Sequence, residues 1–262
     1  MTTWYPGNVG LQTSVPAAAA GTVITNDGIN IYTGGDTVQL VGGVPRNGSA
    51  EIDTSGNVLS WNPNIQSSLT VTVRALQVFP INGTSYAYVG GTFNSVNGGV
   101  TVTGMASFDT SAGSITTWAP PMGLGETATA LAFDGADIFM GGSFSTVSGT
   151  PRAYVASTDP YYGNVLPWNP SGSGGTGVLG MASGAVAGKI WIYAGGSFSV
   201  MGGSSLSNLA KLDNVTGAAA SWLPNPNGAV YAVTTYSGKV LVGGAFTSIG
   251  GLSKTGFAAI AP

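Results

Sequence analysis

The sequence predicts an all-β fold made of five repeats, and three observations support this prediction. A Gly-Gly pair ends a short apolar run five times along the chain. Four of these pairs are followed, at nearly constant spacing, by a tryptophan and then a proline. No segment keeps the 3.6-residue apolar period of an amphipathic helix. The pairs begin at Gly34, Gly90, Gly141, Gly195 and Gly243, and the tryptophans are Trp61, Trp118, Trp168 and Trp222.

Each repeat is expected to contain four short strands joined by tight turns. The first strand alternates apolar and polar residues, as in "VYAVTTY" from Val230, and the second runs into Gly-Gly. The third resembles "GMASFD", and the fourth ends at the tryptophan. Between the first two strands lie pairs that favour positive φ, which predicts hairpins. These pairs are Asp27-Gly28, Asn82-Gly83, Asp134-Gly135 and Ser237-Gly238.

A second kind of turn is predicted between the third and fourth strands. It begins at an aspartate and ends at a glycine, and the aspartate is expected to accept hydrogen bonds from the backbone of its own turn. These aspartates are Asp53, Asp109, Asp159 and Asp213.

Four antiparallel strands, repeated five times, are typical of a closed five-bladed β-propeller. The fifth repeat has only three strands before Pro262, and the opening "MTTWYP" resembles "TTWAP" at 116–120. We therefore expect this N-terminal strand to complete the last blade and to close the ring; an open solenoid is the alternative. The prediction is a single domain, 1–262. Its blades, called repeats 1 to 5 below, have boundaries near 7–63, 64–120, 121–170, 171–224, and 225–262 plus 1–6.

The repeat also resembles a known family. "YVGGTFNSVNG", "MASFD" and "ITTWAP" are similar to the glycine-rich delta-sixty propeller repeat of bacterial surface proteins, to which repeats of fungal cortical polarity markers are related. Repeat 1 departs from the pattern, with Thr37 where the other repeats have phenylalanine, and the family arginine is present as Arg46 and Arg152. The resemblance implies the propeller fold and no shared enzymatic activity.

Composition excludes several functional classes. The chain has no cysteine and no histidine, so thiolate nucleophiles, disulfides, ordinary zinc sites and histidine bases are absent. Its seven Lys and Arg residues are scattered and its net charge is −3, which argues against a nucleic-acid groove. No apolar run is long enough to span a membrane, and the alanines at 17–20 lack the flanks of a signal peptide. We expect no cofactor and no metal.

The carboxylates provide little support for an enzyme. Six of the ten aspartates and glutamates belong to predicted turns. The other four do not fall at equivalent positions, as a convergent glycosidase pair would require, and no Asp-x-Asp run indicates calcium. We therefore predict a protein that is not an enzyme. The four are Asp36, Glu51, Glu126 and Asp137.

Aromatic residues that do not recur are better candidates for binding than the recurrent tryptophans, which are expected to pack between blades. Trp191 and Tyr86 occupy a position that is polar in the other repeats and therefore expected to be exposed. Tyr161 and Tyr162 lie in a turn, "DPYYGN". In a propeller these four residues would share one face, where they are candidate contacts for a protein interface or a glycan.

Two further residues are candidates for lining an axial channel. Arg74 and Tyr231 stand at matching positions of the innermost strands of their repeats. In a closed ring, those strands surround the central axis.

The sequence best fits a non-enzymatic structural or interaction protein. Its polar but nearly uncharged surface is associated with exported or virion-exposed proteins, and it carries no export signal. We predict a virion component, such as a bacteriophage tail, baseplate or capsid-decorating protein. Its partners would be other structural proteins of the assembly. The alternative is a carbohydrate-binding lectin, or an extracellular or cell-surface adhesin, that binds surface glycans.

Overall fold

The computed structural model describes residues 23–36, 40–41, 43–68, 70–123 and 125–262. Every regular element in these ranges is a β-strand, which confirms the predicted all-β class. The chain divides into two compact units, Met1–Gly125 and Glu126–Pro262, which we call the N-terminal and C-terminal units. The predicted closing strand at residues 1–6 lies outside the described residues.

In the N-terminal unit, repeats 1 and 2 each contain a three-stranded antiparallel sheet with the second strand in the centre, plus a two-stranded hairpin. The strands of repeat 1 are Val23–Asn26 (β1), Ile31–Gly34 (β2), Leu40–Val41 (β3), Val44–Pro45 (β4) and Ser49–Ile52 (β5). Those of repeat 2 are Thr72–Ile81 (β6), Thr84–Thr92 (β7), Ser95–Val96 (β8), Val100–Thr101 (β9) and Met105–Asp109 (β10).

The C-terminal unit contains three such repeats, except that in repeat 4 the strand Gly172–Ser173 pairs with the small hairpin and makes it a three-stranded sheet. Repeat 3 has Ala128–Phe133 (β11), Ile138–Gly142 (β12), Thr146–Val147 (β13), Thr150–Pro151 (β14) and Val155–Thr158 (β15). Repeat 4 has Gly172–Ser173 (β16), Gly177–Val186 (β17), Lys189–Ser197 (β18), Val200–Met201 (β19), Ser204–Ser205 (β20) and Leu209–Asp213 (β21). Repeat 5 has Val230–Tyr236 (β22), Lys239–Gly244 (β23), Ser248–Ile249 (β24), Leu252–Ser253 (β25) and Phe257–Ile260 (β26).

In repeats 1 to 4 the predicted fourth strand is not a regular strand, and that of repeat 5 lies outside the described residues. The segment that ends at the tryptophan joins the third strand through one isolated bridge, such as Phe108 with Ile115. Only a few further hydrogen bonds follow, including Thr116 N–H to Ser107 O at 2.8 Å. The proline that follows each tryptophan cannot donate to a ladder, so the pairing stops there. The small hairpin after Gly-Gly was not predicted.

The second glycine of each pair makes room for a β-bulge. The first strand of repeats 2 to 5 carries an extra residue at the same place, as the register shift around Arg74 in β6 shows. A Cβ at Gly91 would overlap the carbonyl oxygen of Thr72, two residues before this bulge. Gly142, Gly196 and Gly244 meet the equivalent carbonyls in the same way. The bulge residues are Arg74, Thr129, Leu179 and Tyr231.

The first glycine of the pair allows neighbouring repeats to pack closely. A Cβ at Gly34 would lie 2.6 Å from Val73 Cγ1 of the next repeat, and one at Gly195 would lie 2.5 Å from Val230 Cγ1. The apolar core therefore lies between the sheets of consecutive repeats within each unit.

The recurrent tryptophans pack as predicted. Each forms an edge-on contact with an aromatic residue two positions before the Gly-Gly of its own repeat, at centroid distances between 4.9 and 5.6 Å. Within each unit the indole N–H also donates to a backbone carbonyl of the next repeat. These bonds run from Trp61 to Asp109 at 3.0 Å, from Trp168 to Asp213 at 2.8 Å and from Trp222 to Ala261 at 2.8 Å.

The predicted turns are confirmed, with one refinement. Asn82-Gly83 and Ser237-Gly238 both have positive φ, as a two-residue hairpin requires, and so does the unpredicted pair Ala187-Gly188. Asp27 instead accepts the backbone N–H groups of Ile29 and Asn30 at 2.8 and 2.7 Å, which makes a side-chain-stabilised turn. The later aspartate turns also follow expectation, since each aspartate accepts backbone N–H groups of its own turn.

Candidate functional site

The tyrosine pair in repeat 3 is presented to solvent on a well-defined turn. Tyr162 is 69% exposed and Tyr161 is 44% exposed. Asp159 Oδ1 accepts both of their backbone N–H groups, at 2.7 and 3.0 Å, and Oδ2 accepts that of Asn164. These bonds hold the turn, and both side chains are exposed to solvent.

Trp191 is only partly buried, but it is not the open aromatic ring that the sequence suggested. It pairs with Asp213 across β18 and β21, so one side of the ring is covered. The ammonium groups of Lys189 and Lys211 lie 4.4 and 4.5 Å from its ring centroid. Lys189 precedes Trp191 by two residues and Lys211 pairs with Tyr193, two residues beyond, so the lysines flank the ring along the strand.

Tyr86 is likewise half-buried rather than exposed. It lies between Phe79 on β6 and Asp109 on β10 in the three-stranded sheet of repeat 2. The expectation of exposure was wrong for Tyr86 and Trp191 for the same reason. Both residues lie in the central strand of their sheet, where a neighbouring strand pairs on each side.

In the C-terminal unit, contacts connect the turns that the sequence placed on one face. Lys189 Nζ lies 2.5 Å from Asp213 Oδ2, which joins the first hairpin of repeat 4 to its aspartate turn. In the next residue of that turn, Asn214 Nδ2 donates to Asp134 Oδ2 of repeat 3 at 2.8 Å. These two contacts link the first hairpin of repeat 3 with the surroundings of Trp191.

Both channel candidates are bulge residues at equivalent positions, which the sequence had matched. Tyr231 is 56% exposed. Arg74 is about one-third exposed, and its Nη2 lies 3.4 Å from Asp36 Oδ2. Their placement around a common channel stays a prediction.

Three of the four unassigned carboxylates have structural partners. Glu51 is buried and accepts bonds from Asn30 Nδ2 at 2.8 Å and from the hydroxyl of Tyr32 at 2.9 Å. Glu126 accepts the backbone N–H of Ser145 at 2.7 Å and so anchors the hairpin β13–β14. Asp36 pairs with Arg74, as described above.

Asp137 is the exception, because it lies among other negative charges. Burial raises the pKa of its carboxyl, and the charges of Asp134 and Asp159 raise it further. In the part of the chain that the structure describes, no three acidic, histidine or cysteine side chains are arranged to hold a metal ion. Over the same ranges no helix is long and apolar enough to cross a membrane.

The two arginines Arg46 and Arg152 have a structural role that the sequence did not specify. Arg152 Nη2 donates to the carbonyl of Leu166 at 2.7 Å, and Nη1 donates to that of Pro151 at 2.8 Å. Arg46 contacts Leu59 and Pro45 in the same way. Each arginine therefore joins the small hairpin to the segment that leads to the tryptophan.

Sequence reasoning missed a cavity of about 140 Å³ in the C-terminal unit. It lies between the first hairpins of repeats 4 and 5, and its lining includes Tyr193, Tyr236 and Lys239. Tyr193 is fully buried, and its hydroxyl has no hydrogen-bond partner in the described structure. Tyr193 itself gave no signal, because Tyr32 and Tyr88 occupy the same position in repeats 1 and 2.

The fold and these sites define an all-β repeat protein with exposed aromatic turns. No protein-family model and no curated protein matches the chain. Among solved structures, the chain is similar to the computationally designed Ika4 protein, with 16% identity, a TM-score of 0.43, and coverage of 72% of this chain and 92% of that one. It is also similar to BamB from Moraxella catarrhalis, with 13% identity, a TM-score of 0.41, and coverage of 90% and 70%. These similarities are too low to assign a function.

Proposed function

We propose that the five repeats close into a five-bladed β-propeller of the delta-sixty type, in which residues 1–6 complete repeat 5. The packing of consecutive repeats within each unit supports this proposal. Val73 covers Gly34, and Val230 covers Gly195. At Gly243 the equivalent place is open among the described residues, since the atom nearest to a Cβ would be Gly256 O at 3.8 Å.

A glycine substitution tests ring closure. In a closed ring another repeat covers Gly243, so Gly243→Ala should lower the melting temperature about as much as Gly195→Ala. Deleting residues 1–6 should lower it sharply as well, because the last blade loses a strand. If both changes leave the melting temperature unaltered, the ring is open.

We propose that the protein is a non-enzymatic interaction module and, first of all, a structural component of a virus particle such as a bacteriophage tail, baseplate or capsid decoration. The observation that carries the interaction role is the exposed pair Tyr161-Tyr162 on its hydrogen-bonded turn. Aromatic residues that are exposed but held in place lose little entropy on binding and are favoured at interfaces. In addition, most of the recurrent residues make structural contacts, so few side chains remain that could act in catalysis.

Immunogold labelling of purified particles tests the location. Labelled virions are the expected result, whereas labelling confined to cell surfaces would contradict the proposal and favour an adhesin. Tyr162→Ala tests the surface and should reduce incorporation into particles. Leu252→Ala, which removes a 63%-exposed side chain from the small hairpin of repeat 5, is the matched control. Equal incorporation of both variants would exclude the tyrosine pair.

A carbohydrate-binding role is the second candidate, because the cavity beside Tyr193 has aromatic and polar walls. A glycan array distinguishes this candidate from the first. Reproducible hits would support a lectin. The lectin role would be excluded if the array shows no hits for the wild-type protein and the same result for Trp191→Ala.

A further inference from the structure

Repeats 1 and 4 differ at one pair of facing residues on the second and third strands. In repeat 1, Tyr32 faces Glu51, and the phenol donates to the carboxylate at 2.9 Å. In repeat 4, Tyr193 faces Lys211. The acceptor of repeat 1 is therefore replaced by a second donor, and the buried hydroxyl of Tyr193 has no partner in the described structure.

Lys211 places a cation on the strand beside Tyr193. It is only 8% exposed, and its ammonium faces the ring of Trp191. The neighbouring carboxylate, Asp213, pairs with Lys189 at 2.5 Å. Burial lowers the pKa of the Lys211 ammonium, and the charge of Lys189 lowers it further. A buried hydroxyl costs free energy unless it is paired, so an added acceptor would satisfy Tyr193. The positive charge of Lys211 on the adjacent strand favours an anionic acceptor.

The cavity beside Tyr193 provides a place for such an acceptor. Its volume of about 140 Å³ is below the roughly 300–1,000 Å³ of sites for drug-sized ligands, which suits a ligand of monosaccharide size. Its lining includes the cation Lys239, on β23, and the hydroxyl residues Thr235 and Ser237. Tyr236, also in the lining, is 71% exposed, so its ring is open to stacking.

We propose that this cavity binds the carboxylate of a sugar acid. The hydroxyl of Tyr193 and the ammonium of Lys239 donate to the carboxylate, and Lys211 adds positive charge from the strand beside Tyr193. Tyr236 packs against the sugar ring, as exposed aromatic residues do with amphipathic ligands. The site lies wholly within the C-terminal unit, so it requires neither a closed ring nor a role in a virus particle.

Titration calorimetry with D-glucuronate tests the proposal, with D-glucose as the neutral isostere and acetate as the bare carboxylate. We expect saturable binding of glucuronate that is at least about tenfold tighter than that of glucose, because charge-assisted hydrogen bonds are the stronger class. Acetate should bind more weakly than glucuronate. Equal affinity for glucose would overturn the role of the carboxylate, and equal affinity for acetate would overturn the role of the sugar.

Substitutions locate the site. Lys239→Met should weaken glucuronate binding about tenfold and Tyr193→Phe about fivefold, because the first removes a charged donor to the carboxylate and the second a neutral donor. Lys254→Met removes a lysine from the small hairpin of repeat 5 and is the matched control; it should leave the affinity unchanged. An effect of Lys254→Met equal to that of Lys239→Met would overturn the site.

Tyr193→Phe preserves the shape of the ring, so this variant tests the site even if a lysine variant fails to fold. If Tyr193→Phe raises the melting temperature and leaves glucuronate affinity unchanged, the hydroxyl is only a packing defect and the proposal fails. A loss of affinity in a variant that melts normally supports it.

Discussion

Replacing Gly195 with alanine would place a methyl group 2.5 Å from Val230 Cγ1 and 2.6 Å from Val233 Cγ2 of the next repeat. Carbon atoms in contact normally lie about 3.5–4.0 Å apart, so the two sheets must separate by about 1 Å. Such overpacking typically costs about 1–3 kcal/mol. The smaller conformational freedom of alanine in the unfolded chain returns about 0.4–1 kcal/mol.

The expected net loss for Gly195→Ala is thus about 1–2 kcal/mol, from the difference of these two contributions. At about 2–4 °C per kcal/mol for a chain of this size, the melting temperature should fall by about 2–8 °C. Urea denaturation followed by tryptophan fluorescence gives the free energy of unfolding, and calorimetry gives the melting temperature.

A double-mutant cycle with Val230→Ala tests whether the predicted clash is the cause. Val230 is fully buried, so the single change should cost about 2 kcal/mol through lost burial and the cavity it leaves. In the double variant, the space left by Val230 accommodates the methyl group of residue 195. The combined loss should therefore be smaller than the sum by about 1 kcal/mol. Strict additivity would refute the contact between repeats.

Three further outcomes follow from the structure. Trp168→Phe should cost about 0.5–1.5 kcal/mol, because the carbonyl of Asp213 loses the indole donor and keeps only the N–H of Gly217; an unchanged urea midpoint would contradict this. Asp137→Asn should stabilise the protein at pH 7. The variant should lose this advantage as the pH falls through the raised pKa of Asp137, because the wild-type carboxyl then also becomes neutral. A stability difference that persists at pH 3 would exclude the electrostatic cause. Arg152→Lys should destabilise the protein nearly as much as Arg152→Ala. An ammonium lacks the planar fork of donors of a guanidinium, one of which reaches the carbonyl of Leu166. Full rescue of stability by lysine would show that charge alone matters.

The candidate binding residues show which features could be predicted from the sequence and which could not. The exposure of Tyr161 and Tyr162 could be anticipated, because a bulky pair inside a short turn has few neighbours to cover it. Trp191 could not be placed correctly, since its surroundings depend on residues from another strand. Lys211 is separated from it by 20 positions in the sequence and meets it only through strand pairing.

The sequence by itself determined the strand class, the repeat, the turn residues and the packing role of the tryptophans. These features arise from local constraints, such as the positive φ of a hairpin or the alternation of apolar and polar residues in a strand. The same local pattern recurs in each repeat. Tertiary structure decided which donors lack an acceptor. The partner of Tyr193 depends on the facing residue of the next strand, and its cavity depends on the hairpin of the next repeat. No local pattern encodes that combination, because it arises only when repeats 4 and 5 pack against each other.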